Sequence, residues 1–397
     1  MIVRASGNEG MPLSVPAPHS RQFDRSVVAT LTPVSPETSF ESLVGEGACC
    51  AFQTPFWLAA WFSTMSCPSI LGRYWLELRD STGAPLLGMP LVLRQEASLR
   101  VLEGADLLLT DYNAPVIFQR AEASGLSPAA YWSALCNAIP QADVLRLHRM
   151  PTEIGGLANP LVEHRMARAS RQSGWMAQLA PNWSGYFSSL TPSMRQKMNK
   201  AHRRFLREPG ARFAMAASVA EGERWLAALE VMQSVRILGK GLDYSLDCPA
   251  ASAFYRHLVR RGIESGQVAM AAMLCGEEVI AVSFATVSGE RATYLRVANL
   301  FGRWHPMTPG QLVTKFLMES LHAHGVRQFD FALGDYEYKK RFGAKPVPLV
   351  DVEIATSIRG IPHCINGMIR GYLRRNPQLH RILSRKSDKP AHSLQSR

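Results

Sequence analysis

The sequence predicts a mixed α+β protein built as two related domains in tandem, each a mostly antiparallel central sheet with helices on its faces. Three observations predict it. The chain has 397 residues, more than one core usually organises. Blocks recur in the same order: "LELRDSTGAPLLGMPLVLR" is echoed by "AMLCGEEVIAVSFATV", and "ADVLRLHRM" by "RQFDFALGD". Strand-length apolar runs joined by Gly turns alternate with stretches of helical periodicity. The expected divisions are a disordered arm over 1–36, a first domain over 37–180, a second over 181–359, and a basic C-terminal helix and tail over 360–397.

The elements follow in order. The first 36 residues are rich in Pro, Ser and Thr with little periodicity, hence the arm. In "TPFWLAAWFSTM", Thr54 suits an N-cap and Pro55 the first helical turn, and Trp57, Leu58, Trp61 and Phe62 recur at helical spacing. "YWLELRD" and "PLLGMPLVLRQ" flank a Ser-Thr-Gly turn and read as a hairpin; "LRVLEGADLLLTDYNAPVIF" continues as strand and loop. "SPAAYWSALCNAIP" is a helix capped by Ser127, and "ADVLRLHRM" a strand. The second half repeats the plan. "TPSMRQKMNKAHRRFL" opens on Thr191-Pro192 and carries Met194, Met198, Ala201 and Phe205 as a narrow apolar stripe. Two more helices, "VAEGERWLAALEVMQSV" and "CPAASAFYRHLVRRGIES", precede a three-stranded meander turning at Gly276-Glu277 and Gly289-Glu290. Then come the helix "TPGQLVTKFLMESLHAHG", the strand "RQFDFAL", a short helix in "YEYKKRF" and the strand "PLVDVEIATS".

Composition narrows the class. The chain is 47% hydrophobic and 19% charged, and no apolar run reaches the roughly 18 residues of a membrane span. The first residues lack the apolar core of a signal peptide, so a cytoplasmic location is expected. The seven cysteines form no C-x-x-C pair and read as reduced thiols. His322 and His324 are two apart on a helix and face different ways, so no metal is expected. The net charge of +12 resides in two segments: residues 193–212 carry +6 and 361–397 carry +7. A phosphate-rich or membrane-surface partner belongs at those segments.

Three stretches carry candidate chemistry. Thr308-Pro309-Gly310-Gln311 opens a helix after a meander strand. Its free N–H groups and the positive end of the helix dipole suit a phosphate, although an ordinary capped helix has the same appearance. Around the stripe of the Thr191 helix lie Arg195, Lys197, Lys200, Arg203 and Arg204, which is either a solvated basic face or a phosphate-facing surface. In "FDFALGDYEYKKRFG", Asp330 points opposite Phe329 and Phe331 on a strand, Gly334-Asp335 turns the chain, and an acid, two phenols and a lysine follow. Such a set at a strand end binds anions or moves protons; it is also what a solvated helix start looks like. The basic tail reads as an amphipathic segment on an anionic membrane or as a helix packed on the domain.

The order "GEEVIA … Y … TPGQL … G … FDF..GD..YK..F", Gly276 to Phe342, resembles the CelD/BioF-like acetyltransferase family, GNAT-fold proteins associated with cellulose or other exopolysaccharide synthesis. "QTPFWLAAWFSTM" and "TDYNAPVI" resemble its preceding half. The family is similar to FemAB-type peptidyltransferases, which carry two GNAT-like domains and take aminoacyl-tRNA as donor; their Phe-Lys-x-x-Phe-Gly segment is matched here by "YKKRFG". The resemblance implies two tandem GNAT-like domains and an acyltransferase using acetyl-CoA or another acyl-CoA, without metal. Thr308, Pro309, Gly310 and Gln311 would face the donor's pyrophosphate. Ala281, Val282 and Ser283 would lie beside its pantetheine arm. Lys339 would stabilise the oxyanion or a phosphate, Asp335 or Tyr338 would orient the acceptor or move its proton, and Tyr294 and Arg195 would line the cleft. The sequence departs from GNAT enzymes in lacking their Gln/Arg-x-x-Gly-x-Gly/Ala loop.

Three functions follow as expectations. The first is N- or O-acyl transfer from acyl-CoA to an amine or hydroxyl of a small molecule or glycan, in exopolysaccharide or cell-envelope synthesis, with peripheral contact to an anionic membrane or a polysaccharide-synthesis complex. The second is tRNA-dependent aminoacyl transfer, and only this one makes tRNA a partner. The third is a non-catalytic scaffold of a polysaccharide-synthesis complex.

Overall fold

A computed structural model describes residues 27–139, 142–239, 241, 246 and 248–375. In chain order the strands are β1 (Val27–Pro33), β2 (Ile70–Asp80), β3 (Pro85–Glu96), β4 (Leu99–Gly104), β5 (Val116–Ile117), β6 (Val144–Pro151), β7 (Glu153–Ile154), β8 (Leu157–Ala158), β9 (Arg168–Ala169), β10 (Gly174–Gln178), β11 (Ala211–Met215), β12 (Val268–Cys275), β13 (Glu278–Ser288), β14 (Arg291–Asn299), β15 (Gln328–Leu333), β16 (Lys345–Val347) and β17 (Leu349–Ala355). The helices are α1 (Phe40–Val44), α2 (Pro55–Thr64), α3 (Gln119–Ala123), α4 (Pro128–Ala138), α5 (Trp183–Ser189), α6 (Pro192–Phe205), α7 (Val219–Leu238), α8 (Pro249–Gly262), α9 (Pro309–Ala323), α10 (Glu337–Arg341) and α11 (Ile361–Arg375).

The strands form two large sheets on one plan. The first runs β1-β2-β3-β4-β6-β17-β9, with β5 on β3; the second runs β11-β12-β13-β14-β15-β10-β16. In each, an antiparallel meander ends in a strand that pairs in parallel with the next: β4 with β6, and β14 with β15. A helix lies in each connection, α4 in the first and α9 in the second, because a parallel partner needs a crossover. Both parallel pairings last three residues, Val101↔Val144 to Glu103↔Arg146 and Arg291↔Gln328 to Thr293↔Asp330. The fold is thus α+β with mostly antiparallel sheets, as the repeated blocks predict.

Several local expectations hold. Thr54 and Thr191 accept backbone N–H bonds from Trp57 and Met194 and cap α2 and α6. The stripe of α6 is buried at all four of its positions. Ser127 precedes α4, but its side chain makes no capping bond.

Other expectations need correction. The arm over 1–36 is strand over Val27–Pro33, paired along its length with β2, because its β-branched and apolar residues complete the edge of the first sheet. Residues 1–26 lie outside the described residues. The boundaries at 180 and 359 do not match sheet membership. β10, placed in the first unit, pairs with β15 and β16 in the second sheet. β17, placed in the second, pairs with β6 and β9 in the first. Each half hands one strand to the other half's sheet.

The packing follows from the exchange. One apolar cluster joins both halves: Trp57, Trp61, Trp75 and Leu87 share it with Trp225, Phe254, Tyr255 and Phe284. Trp57 meets Phe254 edge-on at 4.8 Å between α2 and α8. The second cluster lies on the other face of the second sheet, where α6 and α9 cover Met273, Phe329 and Phe331. Among the described residues no helix is long and apolar enough to cross a membrane.

Candidate active site

The site grows from the divergence of β14 and β15. Their pairing stops at Thr293 and Asp330, while β14 runs on to Asn299. The far half of β14 therefore has no strand on that edge. The amide of Gln233, from α7, donates to the Val297 carbonyl there at 3.1 Å.

Asp330 sits at the apex. It is buried, opposite Phe329 and Phe331, as strand alternation requires. Its carboxylate accepts the Tyr112 hydroxyl at 2.9 Å and the Ala332 N–H at 2.8 Å. Burial pushes its pKa up; Arg291, these hydrogen bonds and Lys339 oppose the rise. At Ala332 the backbone turns left-handed (φ 54°), a conformation costly to a residue with a Cβ. The strand ends one residue later at Leu333, and Gly334 follows at φ 107°.

Lys339, on the short helix α10, meets the two carbonyls at that kink. Its ammonium donates to Ala332 O at 3.0 Å and Leu333 O at 2.5 Å. The side chain is 1% exposed. Burial lowers its pKa to about 8 against the pull of Asp111, Asp330 and Asp335. Asp111 comes from the loop after β4. It accepts the Leu333 N–H at 3.2 Å, and burial raises it to about 6. Gln53 anchors this loop through the Tyr112 carbonyl at 2.8 Å, and Arg149 holds it through Asp106 and the Thr110 carbonyl. Leu107, Leu108 and Arg149 also have positive φ, so strained backbone gathers on both sides of the junction. Asp111 and Lys339 both titrate near neutrality, the property of groups that exchange protons.

A second feature is the start of α9. Thr308 is left-handed (φ 44°), and its hydroxyl is buried without a partner. A Cβ on Gly310 would stand 2.8 Å from Asn299 Oδ1, so the approach there is close. Gln311 accepts the Lys197 ammonium at 2.9 Å. Burial, and then the charge of Arg341, lowers the pKa of Lys197. Lys197 thus stands at the positive end of a 15-residue helix, with the charge of Arg341 felt beside it, a setting for an anion. Arg341 belongs to α10, so one short helix reaches both features.

The other expected residues fall as follows. Asp335 is exposed and accepts the Trp175 indole N–H at 2.9 Å. Tyr338 is half-buried against Phe331, and burial raises its phenol well above the usual range, so it keeps its proton. Pro309 is buried at the first turn of α9. Arg195 is half-buried with its Nε unpartnered. Three placements differ from expectation. Ala281, Val282 and Ser283 lie in mid-sheet, paired to β12 and β14 and fully buried, so no edge is open for a pantetheine arm; the open edge belongs to β14. Tyr294 is locked in the core, its hydroxyl 2.7 Å from that of Thr314 and its ring against Phe329, and lines no cleft. Lys339 also differs from a group standing free in a cleft, because the kinked carbonyls draw it inward. Sequence reasoning gave no role to Asp111 and Tyr112. Their only signal was the stretch "TDYNAPVI".

Among the described residues no group of His, Cys, Asp and Glu is arranged to hold a metal ion. Residues 192–340 match the profile of an acetyltransferase (GNAT) domain. Among curated proteins there is no significant match. The fold is similar to that of FemX (TM-score 0.52, 11% identity, 81% of this chain and 96% of that one). It is also similar to L-PGS from Bacillus licheniformis (0.50, 11%, 81% and 92%). A conserved protein of unknown function from Bacteroides thetaiotaomicron is comparable (0.51, 7%, 82% and 99%). At these identities the likeness is one of fold alone.

Proposed function

We propose that the chain is a GNAT-type N- or O-acyltransferase that takes its acyl group from a CoA thioester. The observation that carries the reading is the unpaired half of β14, which leads from the Asp330 apex to the cationic start of α9. A donor laid along that edge would place its phosphates near Lys197, Arg341 and the N–H groups after Thr308, and its carbonyl near the β15 kink. An acceptor amine or hydroxyl attacks that carbonyl, the C–S bond breaks, and the thiol leaves. Asp111, with a pKa about 6, would take the acceptor's proton. Tyr338, whose phenol holds its proton, would return one to the departing sulfur. Lys339 fixes the backbone that shapes this end of the cleft and lends it positive charge. The acceptor class, a glycan or small molecule of the cell envelope, rests on the family resemblance alone.

One observation favours a second reading. Lys200, Arg203, Arg204 and Arg207 are exposed along α6 and just past it, on the same helix as Lys197. That surface would suit the phosphates of an aminoacyl-tRNA. Thermal shift against a panel of acyl-CoAs and against aminoacyl-tRNA separates the two. A rise in melting temperature with an acyl-CoA, lost in the Lys197→Ala, Arg341→Ala double variant, supports the first. Steeply salt-dependent tRNA binding without any thioester effect supports the second. No response to either leaves the scaffold role.

A further inference from the structure

We propose that α11 is a docking surface for an anionic lipid bilayer, a conclusion independent of the transfer reaction. The helix has one anchored side: Cys364 packs with Val101 and Val144, and His363 reaches Glu353 and Arg146. The opposite side is bare. Ile361, Ile365, Met368 and Ile369, at i, i+4, i+7 and i+8, are 45, 45, 43 and 49% exposed, and Ile358 just before them is 86% exposed. Single exposed apolar residues are common, but a continuous helical stripe is an interaction surface.

Charge identifies the occupant. Residues 361–375 contain no Asp or Glu, and 361–397 carry eight Lys/Arg against one Asp. Exposed Arg359 extends the basic character before the helix. An apolar stripe on a helix that carries arginines and no acid matches the boundary between acyl chains and anionic headgroups, where the two attractions act together. A second copy of the chain fits poorly. A two-fold contact through this stripe would bring together two helices that each carry three arginines and no acid.

The test is vesicle sedimentation of the full chain, with phosphatidylcholine alone and with an equal mixture of phosphatidylcholine and phosphatidylglycerol. The chain is expected to sediment with the anionic vesicles only, and less at high salt. The triple variant Ile361→Ser, Ile365→Ser, Ile369→Ser should bind about tenfold more weakly with an unchanged melting curve. As a second variant, Arg381, Arg385, Lys386 and Lys389→Ser should weaken binding through charge alone. Retention in the supernatant with anionic vesicles, or equal binding by the triple variant, overturns the proposal. So does a concentration-dependent dimer that the triple variant abolishes while vesicles remain unbound.

Discussion

Lys339 illustrates how one residue serves two demands. A lysine ammonium is rarely buried, and here it is held by two carbonyls that point inward because Ala332 is left-handed. Replacing it with methionine keeps the volume, removes both hydrogen bonds and leaves Asp111 and Asp330 without their nearby cation. Lys339→Met should lose about 3 kcal/mol of stability at neutral pH, read by urea denaturation. A loss within error of zero would mean the carbonyls find water instead. Asp111 makes a separate prediction in pH. Its folded pKa of about 6 lies above the unfolded value of about 3.9, so the folded state binds the proton more tightly. Asp111 therefore contributes stability below about pH 4 that is lost as pH rises through 6. The difference in stability between the wild type and Asp111→Asn should fall by up to about 3 kcal/mol across that window and then stay flat. Lys339 acts in a different range. Its folded value of about 8 is below the unfolded value of about 10.4, so its effect on stability improves with pH only above 8.

At the scale of elements, the start of α9 is the part most open to test. Gly310→Ala adds a Cβ 2.8 Å from Asn299 Oδ1, a side-chain end that can swing away, and alanine favours the helix. Stability should change little. If an anion sits at this helix end, donor affinity should fall about tenfold by calorimetry, because the methyl group fills the close approach. Unchanged affinity would place the donor elsewhere. The elements readable in the sequence are those built from local signals. The Thr-Pro openings of α2 and α6, the stripe Met194, Met198, Ala201, Phe205, and the meander turns each depend on neighbours a few residues away. What escaped depends on distant partners. Lys339 looks like any helical lysine until Ala332 turns its carbonyl. Ala281 looks like room for a ligand until β12 and β14 close over both of its edges. Asp111 belongs to a loop with no periodicity, and its partner Leu333 is 222 residues away.

The whole molecule is bound by the exchange of β10 and β17 between sheets, which no boundary drawn along the chain can respect. The repeat in the sequence is real in topology, yet neither half holds a complete sheet. A fragment of residues 181–359 would lack β10, leaving β15 without its antiparallel neighbour and β16 without the strand it pairs with. It would carry β17 without β6, exposing an edge suited to aggregation. It would also bare Trp225, Phe254 and Phe284, which pack in a cluster shared with Trp57 and Trp75. This fragment should show no cooperative thermal transition by near-ultraviolet circular dichroism, whereas the full chain should unfold in one step reported alike by probes in both halves. The site shares this dependence, since Asp111 and Tyr112 come from the first half and Asp330 and Lys339 from the second. A fragment that melted cooperatively would show that the second sheet closes without β10, and the active site would then have to be sought within it alone.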